Sequence, residues 1–267
     1  MDRQIPFKVR RFQSAAPYYA AGRPAYSLRL IRRLVQFSGL ECHHRVMDLG
    51  CGPAPLAIAL APFAGAVTAV DPEPEVLRLA AANAAEANVE ITFVEASSYD
   101  LEPQFGEFWL VAIGRAFHWM DRADTLQRLD KLIEPHGSIA FCHSRHSDLP
   151  DNAWRAAYDE IINRYAADDA DRARRKSPGW PRDESVLLDS AFCRLERISA
   201  IEQRWTPIER FVDRAFSMSS TTPRKLGTAA KGMAQEMRAA LAPFATEGII
   251  IEVVESEALI ASRPESG

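Results

Sequence analysis

The sequence predicts an α/β protein, a doubly wound, mostly parallel seven-stranded sheet with a helical cap. Three observations predict it. Short apolar strands alternate with amphipathic helices through the first 146 residues, which calls for βαβ units joined by right-handed crossovers. A glycine turn, Leu49-Gly50-Cys51-Gly52-Pro53, leads from the first strand into a helix. The second strand ends on an acid, Asp71, about twenty residues beyond those glycines.

Taken in order, Lys8 to Arg23 reads as a helix or lid ahead of the sheet, and Ser27 to Phe37 sets Leu28, Ile31, Leu34 and Val35 at helical spacing. Strands are predicted near Val46 to Leu49, Ala66 to Val70, Ile91 to Val94, Trp109 to Ile113 and Ser138 to His143. Helices fall between them at Pro55 to Ala61, Glu73 to Ala87 and Arg122 to Ile133, with Gly137 as the break before the fifth strand. After His146 the composition changes. Asp151 to Tyr165 is an amphipathic helix, Ser177 to Pro181 is a loop with Trp180 at its tip, and Ile208 to Phe216 and Arg224 to Leu241 are helical. Phe192 to Ala200 and Ile249 to Ala261 read as strands, the second long enough to be an antiparallel edge partner. The chain is thus expected to be one domain in three parts. Residues 1–146 hold a lid and a cofactor-binding core, 147–191 a cap insertion, and 192–267 the strands that complete the sheet plus a second helical cap segment.

Composition narrows the function classes. Of 267 residues, 47% are hydrophobic and 25% charged, ordinary for a globular chain, and the formal net charge is −4. The one dense basic run, Arg172 to Lys176, alternates with Asp168, Asp169 and Asp171, so it reads as a solvated helix end and no nucleic-acid partner is expected. Four cysteines without a C-x-x-C pair argue for reduced thiols and a cytoplasmic location. Met1 to Arg11 lacks the apolar core of a signal peptide, and the apolar tract Leu56 to Val70 is too interrupted to cross a bilayer, so no membrane is expected either. Monomer and homodimer are both compatible with the sequence.

The glycine turn organises the rest. Val46, Met47 and Leu49 suit a strand buried on both faces, while Gly50 and Gly52 let the backbone turn sharply against a ligand. A glycine turn of this kind also marks dinucleotide sites, but the third glycine slot is Pro55 here, and Asp48 stands where a pyrophosphate would meet its charge. A carboxylate there favours a ligand carrying an ammonium and a sulfonium. Asp71 is placed to accept hydrogen bonds from both ribose hydroxyls.

Val46-Met47-Asp48-Leu49-Gly50-Cys51-Gly52, followed by Val67-Thr68-Ala69-Val70-Asp71-Pro72, resembles the class I S-adenosylmethionine-dependent methyltransferases, in particular the group biased toward small molecules. The likeness runs from about Tyr18 to about Ile139. Tyr18-Tyr19 with Arg23-Pro24 is similar to the group's N-terminal segment, and Phe117-His118-Trp119 to its His-Trp segment after the fourth strand. The chain departs from the group at Ala54, where glycine is usual, and it lacks the acid usually near Ala96. The resemblance implies a Rossmann-like methyltransferase fold, S-adenosylmethionine as cofactor, and Tyr19 and Arg23 at the methionine carboxylate.

Ligands in such sheets sit outside the carboxyl ends of the strands. Cofactor contacts are therefore expected from Asp48, Gly50, Cys51 and Gly52, from Asp71 and Pro72, from the backbone of Ala96 and Ser97, and from Gly114, Arg115 and Ala116. His118 follows the fourth strand, where an acceptor would meet the methyl group. It is either a general base or an orienting residue. His143 is a second candidate base, and Trp119, His146 and Trp180 are candidate acceptor contacts, with Trp154, Tyr158 and Phe216 as further aromatics of the cap. His143 and His146 leave a strand without the fixed helical geometry of zinc motifs, so no metal is expected. The reading is a methyltransferase acting on a small-molecule acceptor by SN2 transfer to O, N or C. The alternatives are an NAD(P)-dependent oxidoreductase, which Asp48 and Pro55 disfavour, and a non-catalytic nucleoside-binding member of the fold.

Overall fold

The structure is a computed structural model and describes residues 18, 19, 22, 23 and 25–264. Most of the segment Lys8 to Arg23, expected as a lid, lies outside the described residues. Seven strands form one sheet in the order β3-β2-β1-β4-β5-β7-β6. They are β1 (Arg45–Leu49), β2 (Ala66–Asp71), β3 (Thr92–Glu95), β4 (Phe108–Gly114), β5 (Ile133–His146), β6 (Arg194–Pro207) and β7 (Ile249–Ser262). The first five pair in parallel, and β7 runs antiparallel to both β5 and β6.

Period-2 alternation divides each central strand between two cores. Val46, Leu110, Ala112, Ala140 and Cys142 pack on one face under α1 (Leu28–Ser38), α2 (Pro55–Leu60) and α3 (Pro74–Glu86). Met47, Val111, Ile113, Ile139 and Phe141 pack on the other with Phe117, with Leu126 and Leu129 of α4 (Arg122–Leu129), and with Leu187 of α7 (Asp183–Leu188). A third core belongs to the cap. It joins α5 (Trp154–Tyr165), α8 (Ile208–Phe216) and α10 (Ala229–Leu241) through Trp154, Phe211, Met233 and Met237, and the short helices α6 (Ala170–Lys176) and α9 (Pro223–Leu226) flank it.

Four expectations need correction. The helix Arg122 to Ile133 stops at Leu129, because Leu132 O accepts Phe108 N–H at 2.8 Å and Ile133 already pairs with β4. Gly137 lies within β5 at a register irregularity rather than before it. A Cβ there would meet Ile133 Cγ2 at 2.7 Å and Trp109 O at 2.8 Å. The second long strand, β7, is interior and β6 is the edge, since β7 forms ladders on both sides. Finally, the stretch Arg224 to Leu241 is two helices, broken at Gly227 by a positive φ of 57°.

β6 and β7 run well past the parallel strands and reach the cap. There Glu252 of β7, 1% exposed, accepts both Arg214 Nη atoms of α8 at 2.9 Å and Thr206 Oγ1 at 2.6 Å, with His146 Nε2 also at 2.6 Å. Burial alone would raise this carboxyl, but His146, Arg214 and Thr206 hold it well below its ordinary range.

Candidate active site

A cavity of about 370 Å3 opens at the carboxyl ends of β1, β2, β4 and β5, where the strand order reverses between β1 and β4. Its floor is the glycine turn. Gly50 and Gly52 have φ of 71° and 57°, and the N–H groups of Gly50 and Cys51 donate to Val70 O at 2.8 and 3.0 Å. A Cβ on Gly50 would lie 2.6 Å from Ala116 Cβ. Ala54 stands at a φ of 63°, a left-handed position that explains why glycine is the easier residue there.

Asp71 closes the turn from the second strand. Its Oδ2 accepts Gly52 N–H at 2.9 Å and its Oδ1 accepts Glu73 N–H at 3.0 Å, so one carboxylate fixes the glycine loop to the start of α3 and still faces the cavity. Burial raises its pKa, and the two N–H bonds pull it back.

The β4 exit builds the other end. Arg115 has a φ of 58°, a costly conformation for a non-glycine residue, and its guanidinium carbon sits 5.0 Å from the Tyr26 ring centroid and 6.0 Å from that of Tyr19. Arg23 lies over the same Tyr19 ring at 5.3 Å and donates from Nε to Ser217 Oγ at 2.9 Å. His118 and Trp119 follow on a single 3-10 turn, 117–119, and both line the cavity with His143 of β5. Burial pushes the His118 imidazole down to about 3, helped by Arg175, His143, Arg23 and Arg122. Burial also lowers His143. Both rings are therefore neutral near pH 7 and able to accept a proton.

Of the sequence-predicted residues, Tyr19, Arg23, Gly50, Gly52, Asp71, Pro72, Ala96, Ser97, Gly114, Arg115, Ala116, His118, Trp119 and His143 meet at this cavity. Four do not line it. Asp48, 1% exposed, turns beneath the loop to accept Ala57 N–H at 3.0 Å, and burial raises it to about 7. Cys51 is buried in the core under α2. His146 is engaged by Glu252 and sits edge-on to Trp154 at 4.9 Å. Trp180 packs under the Arg122 guanidinium at 4.8 Å. Trp154 and Tyr158 belong to the cap core, and Phe216 packs on Tyr18.

Three of these positions also serve the chain itself. The N–H groups of Ala96 and Ser97 already donate, to Asp71 O at 3.3 Å and to Asp100 Oδ2 at 2.8 Å. Gly114 leaves room for the chain's own side chains, because a Cβ there would lie 2.5 Å from Tyr26 Oη.

Sequence reasoning missed Glu73, Val76, Tyr99 and Met120 on the wall, and from the cap Arg172, Arg175, Met218, Ser219 and Ser220. Position relative to a strand end signals the first group. Nothing local signals the second, which depends on where the cap folds back.

This arrangement fits a methionine nucleoside. It combines a glycine floor, a carboxylate at the second strand tip and guanidinium groups near the N-terminal tyrosine. Residues 46–137 match the methyltransferase domain family. An uncharacterized methyltransferase of Mycobacterium tuberculosis is 29% identical over 219 residues, 81% of each chain. Among solved structures, an S-adenosylmethionine-dependent methyltransferase from Thiobacillus denitrificans in complex with S-adenosyl-L-homocysteine superposes with a TM-score of 0.55 at 13% identity, over 97% of this chain and 100% of that one. A second, from Geobacter sulfurreducens with the same ligand, gives 0.53 at 16% identity over 97% and 99%. Such identities speak to the fold, while the family match speaks to the domain. Residues 46–137 are thus a match to the methyltransferase domain, set in the fold of the class I S-adenosylmethionine-dependent methyltransferases, with S-adenosylmethionine as the implied cofactor.

Proposed function

We propose that the protein methylates a small-molecule acceptor held between the β4 exit and the cap, with transfer to an oxygen, nitrogen or carbon atom. The observation that supports this most directly is the cavity itself. It is of small-molecule size, with Asp71 and the glycine turn at one end and neutral His118 and His143 at the other.

When bound, S-adenosylmethionine supplies an electrophilic methyl whose carbon takes the acceptor's lone pair as the bond to sulfur breaks toward sulfur. The chain's residues do the rest. Asp71 would hold the ribose hydroxyls, and Tyr19 and Arg23 the methionine carboxylate through a charge-assisted pair. Asp48 acts indirectly in this reading, by anchoring α2 under the turn. His118 would orient the acceptor and take its proton where the nucleophile carries one. Trp119 and the segment Met218 to Ser220 would exclude water, so that positioning supplies most of the rate.

The test is calorimetric titration of the full chain with S-adenosylhomocysteine beside NAD, followed by an S-adenosylhomocysteine-release assay over a panel of small acceptors. Binding of the first ligand alone, with turnover on at least one acceptor, supports the reading. Binding of NAD, or of neither, removes it.

A further inference from the structure

We infer that the acceptor is an organic anion whose carboxylate or phosphate is held by Arg172 and Arg175 on the inner face of α6. The inference deepens the methyltransferase reading and rests on it.

The first observation is the cavity's charge. Among the described residues four guanidinium groups line it, Arg23, Arg115, Arg172 and Arg175, beside two carboxylates, Asp71 and Glu73. Both acids stand at the β2 exit. S-adenosylmethionine carries an ammonium and a sulfonium against a single carboxylate, so its binding adds one further positive charge. A cationic acceptor would meet guanidinium groups of its own sign on this wall, whereas an anionic one meets the opposite sign.

The second observation is how α6 presents its basic residues. Cations in a last helical turn are ordinary, because they complement the helix dipole. That accounts for Arg174 and Lys176, which are exposed. Arg172 and Arg175 are three residues apart, hence on one face, and both are half-buried and line the cavity. Arg175 lies over the Trp119 ring at 4.3 Å, so it points at the residue after His118 rather than into solvent. Asp169, the acid at the start of α6, is engaged by Lys225 Nζ and by Arg172 N–H at 2.6 Å. Arg172 Nη2 is steadied by Asn163 Oδ1 at 2.8 Å.

The third observation concerns His118, whose imidazole is pushed down first by burial and then by the charges of Arg175 of α6, His143 of β5, Arg23 of the N-terminal segment and Arg122 of α4. Three of these four are guanidinium groups. An anion seated on Arg175 offsets part of that field, so the imidazole becomes a stronger base once the acceptor is bound.

The test is calorimetry on the full chain saturated with S-adenosylhomocysteine, with benzoate and inorganic phosphate as anionic probes and benzamide as a neutral one. An anion should bind while benzamide does not. Arg172→Gln and Arg175→Gln should each weaken that anion about tenfold. Arg174→Gln, on the solvent face, should leave it unchanged, and all three variants should bind S-adenosylhomocysteine as the wild-type chain does. Normal S-adenosylhomocysteine binding overturns this inference alone if benzamide binds as well as benzoate, if no anion binds, or if Arg174→Gln weakens the anion as much as the other two. Failure of the wild-type chain to bind S-adenosylhomocysteine overturns the cofactor reading beneath it.

Discussion

Asp71→Asn separates cofactor binding from folding. In the wild-type chain the two carboxylate oxygens take Gly52 N–H at 2.9 Å and Glu73 N–H at 3.0 Å. Asparagine offers one oxygen and one NH2 in the same two places, so whichever way it turns, one backbone N–H faces a donor. The turn loses one charge-assisted hydrogen bond, ~1.5–3 kcal/mol, and a ribose hydroxyl loses an acceptor. At about 1.4 kcal/mol per factor of ten, S-adenosylhomocysteine affinity should fall roughly 10- to 100-fold.

Folding should respond differently to the same change. Burial raises the Asp71 pKa. An acid raised in the folded state gives its full stability below its unfolded pKa of about 4 and loses it as pH rises. Near neutral pH the charged side chain therefore opposes folding. Asparagine removes that load while orphaning one N–H, and the melting temperature should stay within about 4 °C of wild type. Calorimetry with a parallel thermal scan reads both quantities. An affinity within about threefold of wild type, or a loss of affinity that merely tracks a large fall in melting temperature, would falsify this reasoning.

Three further outcomes follow from the buried titratable groups. Asp48 is raised from 3.8 to about 7 by burial, which corresponds to at most about 4 kcal/mol of stability present below pH 4 and lost by pH 8. Asp48→Asn should therefore be more stable than wild type at pH 8 by urea denaturation, with the gap closing toward pH 4; an equal gain at both pH values contradicts the assignment. His118→Ala should lower kcat about 10²- to 10⁴-fold if the nucleophile must lose a proton, with S-adenosylhomocysteine affinity unchanged, and an unaltered kcat removes His118 from the proton step. Because His118 sits near 3, kcat/KM should show no acid limb from it between pH 5 and 8. Glu252→Gln strips the charge from the partner of buried Arg214 and should cost ~3–5 kcal/mol, read as a drop of roughly 6–20 °C in melting temperature. The Glu252 carboxyl is depressed, so the wild-type advantage is present above pH ~4.5 and fades as the solution is acidified. A loss under about 1 kcal/mol at pH 7 would show that the network contributes little.

The cofactor end of the cavity was legible in the sequence because its constraints are local. A strand, a turn needing positive φ at Gly50 and Gly52, and an acid at the next strand tip are each readable from a few neighbouring residues. The same local reading placed Asp48 and Cys51 at the ligand, since sequence spacing says which residues neighbour a turn and not which way they face. β6 was read short because Glu202 and Arg204 interrupt its apolar pattern, yet those two pair with each other at 3.0 Å on a continuous ladder. Arg175, Ser219 and Ser220 were not legible at all. They reach the wall only through the docking of α6 and α8, which is set by contacts such as Arg214 with Glu252 and Arg23 with Ser217.

The buried fork between Arg214 and Glu252 also divides the cap by its tolerance of change. α8 is bolted to β7 and, through the Arg214 Nε bond to Gly22 O at 3.2 Å, to the N-terminal segment beside Tyr19. A substitution there disturbs the sheet and the cofactor end together. α6 has no buried residue; its cap with Lys225, its bonds to Asn163 and the Arg175 contact with Trp119 hold it without a core of its own, so its face toward the cavity can vary at less cost to folding than α8. On the proposed acceptor role of α6, drift in substrate preference, whether by natural divergence or by directed evolution, is expected in residues 170–176 while the α8 side of the cavity stays fixed.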